Sequence, residues 1–214
     1  MLTTPSNLEI KDLSFAYAPT EPTGKPLFRG FKALLKPGVN LVSGDEGTGK
    51  TTLLKILSGA LVMDSGSLKL NQIQMDNEHV SWQAQVFYVE PRSEAFDQVK
   101  VTDYFHSLSD SYPGFDSTLA IELAQELGLE PHLHKPLYML STGSKRKLWI
   151  CAAFCAKAPL TLIDDPFAAL DSSSVNVVLE LFEEVAEQMR DIWVITGYEA
   201  HPRLKLSSHV QLTT

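Results

Sequence analysis

A glycine-rich octapeptide near the start of the chain has the composition and spacing of a phosphate-binding loop. Gly44-Asp-Glu-Gly-Thr-Gly-Lys-Thr51 follows an apolar segment that predicts a buried strand over Val39–Ser43 and leads into a predicted helix over about Lys50–Ser58. In such a loop, successive backbone N–H groups point at a phosphate, and the N-terminus of the helix adds positive potential. The sequence therefore predicts that this turn binds the phosphates of a nucleotide.

The side chains of the loop have separate expected roles. Lys50 is expected to reach the β- and γ-phosphates, which also gives it a catalytic role, and the Thr51 hydroxyl is expected to bind Mg²⁺. Two carboxylates beside a phosphate are unfavourable, so Asp45 and Glu46 are expected to point away from it. The residues predicted to bind the nucleotide through this loop are Gly44, Asp45, Glu46, Gly47, Thr48, Gly49, Lys50, Thr51 and Thr52.

A second acidic element follows an apolar segment late in the chain. Leu160–Ile163 predicts a buried strand, and Asp164 and Asp165 come directly after it. Asp164 is expected to order the Mg²⁺ shell, and Asp165 to lie beside the attacking water as a catalytic residue. On its own, this pair could equally be an Asp-Pro turn that begins a helix. A phosphate loop in the same chain favours the metal and catalytic roles.

The elements that must position these residues alternate between strands and helices. Such alternation predicts an α/β fold with a mostly parallel sheet covered on both faces. Prolines and a glycine at 19, 22, 24 and 26 predict a loop between the first two strands, and Asp64–Ser67 predicts a turn before an edge strand. The predicted strands are Leu8–Phe15, Phe28–Leu35, Val39–Ser43, Leu68–Leu70, Val86–Val89, Leu160–Ile163, Ile192–Thr196 and His209–Leu212. The predicted helices are Lys50–Ser58, Thr118–Leu127, Lys145–Lys157 and Ser174–Met189.

Composition excludes several classes of protein. The 214 residues carry a formal charge of −8, and 44% of them are apolar, so the chain can form a buried core. The acidic balance disfavours general nucleic-acid binding, which needs clustered Lys and Arg, so no nucleic-acid partner is expected. The apolar run Trp149–Ala156 is far shorter than the ~20 residues of a membrane span. Cys151 and Cys155 form no disulfide framework, so a cytoplasmic location is expected.

Three further segments resemble motifs of the ATP-binding cassette (ABC) family. Leu140-Ser-Thr-Gly-Ser144 resembles its signature motif, Ala168-Ala-Leu-Asp171 resembles its D-loop, and Tyr17 is similar to the aromatic residue that stacks on adenine. The resemblance covers about residues 8–212. It implies a P-loop NTPase fold of ABC type, with a mostly parallel core sheet, an antiparallel β subdomain and an inserted helical subdomain at about 91–150. Residues 1–214 would then form a single ATP-binding cassette with ATP and Mg²⁺ as cofactors.

The resemblance also implies partners. Two cassettes, identical or different, would close head to tail on two ATP molecules, so that Ser141 and Gly143 contact the nucleotide bound by the other chain. Closure would drive a transmembrane permease on a separate chain, which would hold the cassette at the cytoplasmic face of the membrane. Tyr112–Asp116 and Leu140–Leu148 resemble cassettes of drug, lipid or antibiotic exporters, and Ala158–Phe167 resembles the haem-exporter type. The resemblance leaves these types open.

The chain departs from the family pattern at three positions that serve hydrolysis. Asp165 replaces a Glu, which shortens the side chain and can cost about 10²-fold in rate. Tyr198 stands where a switch histidine is expected, with His201 as a weaker candidate, and Glu90 stands in place of the Q-loop glutamine, where it could bind Mg²⁺ through water. We therefore expect intact ATP binding and slow hydrolysis.

Two other functions remain open at this stage. One is a regulatory cassette that senses nucleotide, and the other is an ABC ATPase that acts in DNA repair or on the ribosome, away from transport.

Lys145-Arg-Lys147 is interpreted as a solvated helix face. His132 and His134 lack the further ligands of a zinc site.

Overall fold

The computed structural model describes residues 7–17, 26–75, 79–91 and 93–213. The predicted loop residues Pro19, Pro22 and Gly24 lie outside this part of the chain. The strands are β1 (Leu8–Phe15), β2 (Phe28–Leu35), β3 (Gly38–Ser43), β4 (Ser65–Leu70), β5 (Ile73–Gln74), β6 (Val86–Tyr88), β7 (Leu160–Ile163), β8 (Ile192–Gly197) and β9 (Leu206–Gln211). The α-helices are α1 (Lys50–Ser58), α2 (His79–Gln83), α3 (Val101–Ser111), α4 (Ser117–Glu126), α5 (Thr142–Cys155) and α6 (Ser172–Gln188).

A five-stranded parallel sheet positions the predicted site. Its order is β6-β7-β8-β3-β9, and β3 is buried along its whole length between β8 and β9. Continuous apolar strands of this kind are typical of parallel sheets covered on both faces. Ser43 pairs with Gly197, and Ile163 pairs with Ile195. The carboxyl ends of β3, β7 and β8 therefore meet at one edge of the sheet, which confirms the predicted α/β fold.

A second, antiparallel sheet has the order β2-β1-β4-β5. The prediction for β4 was wrong in two respects. Ser65–Ser67 belong to the strand instead of to a turn before it, and β4 lies between β1 and β5 instead of at the edge of the sheet. Gly66 has φ +114°, and a Cβ there would lie 2.7 Å from the Leu13 Cα. The Ser and Gly composition favours a turn locally, but pairing with β1 overrides that preference.

Two helices begin earlier than the apolar periodicity predicts. Helix α5 begins at Thr142 instead of Lys145, because the Ser141 hydroxyl accepts a hydrogen bond from the Ser144 N–H at 3.1 Å. Helix α6 begins at Ser172 instead of Ser174, and the Asp171 carboxylate caps it in the same way. Polar capping turns lie outside an apolar pattern, so periodicity alone places both starts too late.

The segment predicted as a helical subdomain contains α3, α4 and most of α5, and its described residues form no strand. Aromatic rings connect it to the sheet. The Tyr104 and Trp149 rings lie 5.3 Å apart, and the Phe154 ring lies 4.4 Å from that of Trp193 in β8. Helix α5 thus packs between α3 and the parallel sheet. The division of the chain into one cassette with a subdomain at about 91–150 stays a prediction. Within the described residues, no helix has the length and apolar character that a membrane span needs.

Candidate nucleotide-binding site

The loop between β3 and α1 is held in a tight turn that two of its glycines make possible. A Cβ at Gly44 would lie 2.6 Å from the Thr48 hydroxyl oxygen, and one at Gly49 would lie 2.8 Å from the Phe28 ring. Both glycines also have positive φ, at +155° and +99°. Side chains at these positions would clash and strain the backbone, so the loop needs glycine at both.

Lys50 points back into this loop. Its Nζ donates hydrogen bonds to the carbonyl oxygens of Gly44 at 2.6 Å and Asp45 at 2.8 Å, and it lies 4.8 Å from the centre of the Tyr198 ring. The ammonium group therefore occupies the concave side of the loop. An anion bound there would contact both this group and the N-terminus of α1. The Asp45 and Glu46 side chains are exposed.

A cluster of oxygen atoms lies beside the loop at the end of β7. The Thr51 hydroxyl donates to Asp164 Oδ2 at 2.6 Å, and the Thr196 hydroxyl donates to Asp164 Oδ1 at 2.5 Å. Hydroxyl and carboxylate oxygens suit Mg²⁺, which keeps several waters and shares its shell with substrate phosphates. No group of three or more His, Cys, Asp or Glu residues within the described ranges could hold a metal. The donor set thus fits a Mg²⁺ ion that a nucleotide helps to bind.

The next residue, Asp165, has an unusual environment. Its backbone is left-handed with φ +49°, a conformation that Asp adopts more readily than most residues. Burial raises the pKa of its carboxyl group, an effect that the Arg146 guanidinium opposes and the neighbouring Asp164 reinforces. Burial also lowers the pKa of Arg146, against the raising effect of both aspartates. The two carboxylates and one guanidinium form a partly buried charged cluster.

Lys50, Thr51, Asp164 and Asp165 share one open cavity of about 410 Å³. At its mouth, the exposed Tyr17 packs edge-on against Phe15 and shares a hydrogen bond of 2.9 Å with the Thr52 hydroxyl. The lining residues are Tyr17, Leu27, Glu46, Gly47, Gly49, Lys50, Thr51, Thr52, Asp164, Asp165, Thr196, Gly197 and Tyr198. The fold therefore brings most of the predicted phosphate residues, the predicted metal ligands Thr51 and Asp164 and the predicted catalytic residues together with the predicted adenine-stacking aromatic. Gly44, Asp45 and Thr48 line an adjacent cavity that also contacts Tyr198.

Some predicted site residues lie outside this cavity. The Glu90 carboxylate is exposed and forms an ion pair of 2.5 Å with Lys55, and Glu90 does not line the cavity. Ser141 and Gly143 stand at the start of α5, also outside the lining. The His201 ring packs against Phe167, with 5.6 Å between centroids. The roles assigned to these residues stay predictions.

The basic triplet at the start of α5 differs from its prediction as a solvated face. The Lys145 ammonium forms an ion pair with Asp97 at 2.6 Å, and that of Lys147 pairs with Asp171 at the same distance. Arg146 Nη1 donates to the Asp164 carbonyl oxygen at 2.5 Å. Each side chain thus reaches a different segment, because successive residues of a helix point about 100° apart.

Sequence reasoning assigned no role to Thr196 or Arg146, although both contact Asp164. The signal for Thr196 was weak: it is a polar residue at the carboxyl end of an apolar strand that the α/β pattern places next to β7. No signal in the sequence connected Arg146 to Asp164, because basic residues on a helix are usually exposed.

The sequence matches a known family over much of its length. The ABC transporter family matches residues 35–168, which is more than half of the chain. The chain is 26% identical over 171 residues to the cytochrome c biogenesis ATP-binding export protein CcmA of Histophilus somni, covering 77% of this chain and 76% of that protein. It is 31% identical over 157 residues to the phosphonates import ATP-binding protein PhnC of Hydrogenovibrio crunogenus, covering 67% of this chain and 58% of that protein.

A solved structure shows the same fold. The dimeric structure of MJ0796, a bacterial ABC transporter cassette, superposes with a TM-score of 0.75 at 19% identity, covering 90% of this chain and 88% of that one. Identity at this level supports the architecture alone, whereas the family match over residues 35–168 extends to the activity. This chain therefore belongs to the ABC transporter family, as an ATP-binding subunit whose general activity is ATP hydrolysis.

Proposed function

We propose that this subunit binds ATP together with Mg²⁺ and uses its hydrolysis to drive a separate transmembrane permease. The observation that carries the proposal is the single cavity that contains Lys50, Thr51 and Asp164. Lys50 and the loop N–H groups would bind the β- and γ-phosphates, while Thr51 and Asp164 would hold the ion, with Glu90 as a ligand through water. A bound Mg²⁺ would neutralise charge on these phosphates. Tyr17 would stack on the adenine.

The signature residues support a dimer with a second cassette, identical or different. Ser141 is exposed at the start of the 14-residue helix α5 and lies outside the cavity of its own chain. The N-terminus of such a helix attracts anions. In a head-to-tail dimer, Ser141 and Gly143 would contact the γ-phosphate of the nucleotide bound by the other cassette. The dimeric structural neighbour is consistent with this arrangement.

Hydrolysis is proposed to be slow. The shorter carboxylate of Asp165 must reach the attacking water, and Tyr198 supplies a neutral hydroxyl where the family resemblance implies a histidine. Asp165 and Tyr198 both line the cavity. Their placement supports catalytic roles with reduced efficiency, since a misplacement of about 1 Å can cost about 10²-fold in rate.

We propose export as the direction of transport, on the basis of the exporter-like segments Tyr112–Asp116 and Leu140–Leu148. The names of the similar proteins include both an export protein and an import protein. The permease would anchor the subunit at the cytoplasmic face of the membrane. No nucleic-acid partner is proposed, given the charge of −8.

Purification of the tagged chain from its native membranes in mild detergent tests this function. We expect a polytopic membrane protein to co-purify in fixed stoichiometry, and the complex to hydrolyse ATP unless Lys50 is replaced by Ala. Co-purification of ribosomes or nucleic acid instead would overturn the transport function. A turnover of many per second by the isolated chain, removed by Lys50→Ala and without a second cassette, would overturn slow hydrolysis.

A regulatory cassette that senses nucleotide is the second candidate. The simultaneous presence of Asp165, Tyr198 and Glu90 at positions that serve hydrolysis favours it. Complete absence of turnover in the permease complex, with ATP binding retained, would select this function over energy coupling.

A further inference from the structure

One peptide group at the end of β7 is held on both of its sides. The Asp164 carbonyl oxygen accepts a hydrogen bond of 2.5 Å from Arg146 Nη1, and the N–H of the next residue, Asp165, donates to the Thr196 hydroxyl at 3.0 Å. The same Thr196 hydroxyl donates to Asp164 Oδ1. The first two hydrogen bonds hold the peptide between the two aspartates, and the third holds the Asp164 carboxylate. Both aspartate side chains branch from the Cα atoms that flank this peptide.

The backbone at this position needs external support. Asp165 is left-handed with φ +49°, a conformation that costs energy in a residue with a Cβ and persists where the surroundings enforce it. Both aspartates come directly after β7 and line the cavity. Loss of either hydrogen bond on the peptide would allow it to rotate and would redirect both side chains.

Arg146 is itself fixed at its base. It lies on α5 between Lys145 and Lys147, which are paired with Asp97 and Asp171 at 2.6 Å each. Its guanidinium is partly buried, which lowers its pKa, and the two aspartates beside it offset the cost of burying the charge. An arginine that is held both at its helix and at its guanidinium fixes the Asp164 carbonyl oxygen more firmly than a mobile surface arginine would.

We propose that Arg146 is a positioning residue for the reaction, which acts through the 164–165 peptide to aim Asp164 at the metal and Asp165 at the attacking water. The proposal deepens the proposed function, because it rests on the metal role of Asp164. Thr196 performs the same task from the opposite side of the peptide. Arg146 itself is not among the residues that line the cavity.

Nucleotide binding with and without Mg²⁺ tests the proposal independently of turnover. The quantity measured is the gain in ATP affinity when Mg²⁺ replaces EDTA, obtained by titration calorimetry on the full chain. In Arg146→Met we expect this gain to fall at least fivefold, while the affinity in EDTA stays within twofold of the wild type. In the permease complex, kcat for ATP hydrolysis by Arg146→Met should fall at least tenfold, with little change in KM. Arg146→Lys, which keeps the charge, should recover part of both losses.

Matched variants separate positioning from other effects. Arg203→Met removes the same charge away from the peptide, because Arg203 donates to Asn176 and Glu183, and it should behave as the wild type. An unchanged Mg²⁺ gain in Arg146→Met, or an equal loss in Arg203→Met, would overturn the proposal. If Arg146→Met fails to fold, Thr196→Val decides, because it removes the hydrogen bond on the other side of the peptide; an unchanged gain there would also overturn it. Asp164→Asn tests the underlying metal role separately, and a full gain in that variant would overturn the metal role and the proposal together.

Discussion

The ammonium group of Lys50 lies 4.8 Å from the centre of the Tyr198 ring while it donates hydrogen bonds to two carbonyl oxygens of its own loop. Tyr198 is 65% exposed, so the ring covers the lysine from the solvent side. A cation–π contact at an exposed site contributes about 0.5–1 kcal/mol. Tyr198 thus lies in direct contact with the lysine of the predicted phosphate loop.

Tyr198→Phe is expected to separate the ring from its hydroxyl. The variant keeps the aromatic face over Lys50, so the ATP affinity should stay within twofold of the wild type. Loss of a hydroxyl that donates to the γ-phosphate should lower kcat by about 10- to 100-fold, the range of a hydrogen bond to a charged group. Steady-state kinetics of the permease complex measure both, with the exposed Tyr138→Phe as the control. A kcat equal to that of the wild type would place the Tyr198 hydroxyl outside the chemistry.

Lys50→Ala is expected to abolish protection by ATP against thermal unfolding. In the wild type, ATP at 100 times its Kd should stabilise the folded state by about 2.7 kcal/mol. The variant lacks the ammonium group within the loop, so the same ATP concentration should leave its unfolding temperature unchanged. Lys32→Ala is a control, because Lys32 is exposed and pairs with Asp12 away from the cavity. Equal ATP-dependent shifts in Lys50→Ala and in the wild type would contradict the assignment of the loop.

Asp165→Glu is expected to raise the rate of ATP hydrolysis. The extra methylene extends the carboxylate by about 1.5 Å, and restored alignment could recover up to about 10²-fold. A small loss of stability should accompany the gain, because Glu tolerates φ +49° less well than Asp.

Asp165→Asn is the counterpart that keeps the backbone preference and removes the charge. It should reduce turnover to background with ATP affinity retained. Phosphate release assays of both variants check this pair. Faster hydrolysis in Asp165→Asn, or a slower rate in Asp165→Glu, would show that Asp165 does not act on the water.

Gly143→Ala is expected to lower the free energy of unfolding by about 1–2 kcal/mol, within the range for overpacking. A Cβ at this position would lie 2.7 Å from the Ala169 carbonyl oxygen, so helix α5 or the segment around Ala169 must shift. Urea unfolding at neutral pH measures the change, with Thr142→Ala at the exposed neighbouring position as the control. An unchanged or raised midpoint would mean that this contact is relaxed easily.

The phosphate loop, the strand before it and the helix after it could be predicted from the amino-acid sequence alone. The loop motif depends on residues within one short segment, and the buried strands of a parallel sheet are continuous apolar runs that need no partner to be recognised. Helix starts were less accurate, because the capping residues Ser141 and Asp171 lie outside the apolar pattern.

The surroundings of Asp164 depend on the three-dimensional fold. Its hydrogen-bond partners Thr51 and Thr196 are 113 and 32 residues away in the chain, and Arg146 reaches its carbonyl oxygen from a separate helix. No local pattern predicts these contacts, because they depend on the order of strands in the sheet and on the packing of α5 against it. Sequence motifs identify groups that can bind a nucleotide. The fold determines which of these groups contact one another, because a hydrogen bond forms only when donor and acceptor lie about 3 Å apart.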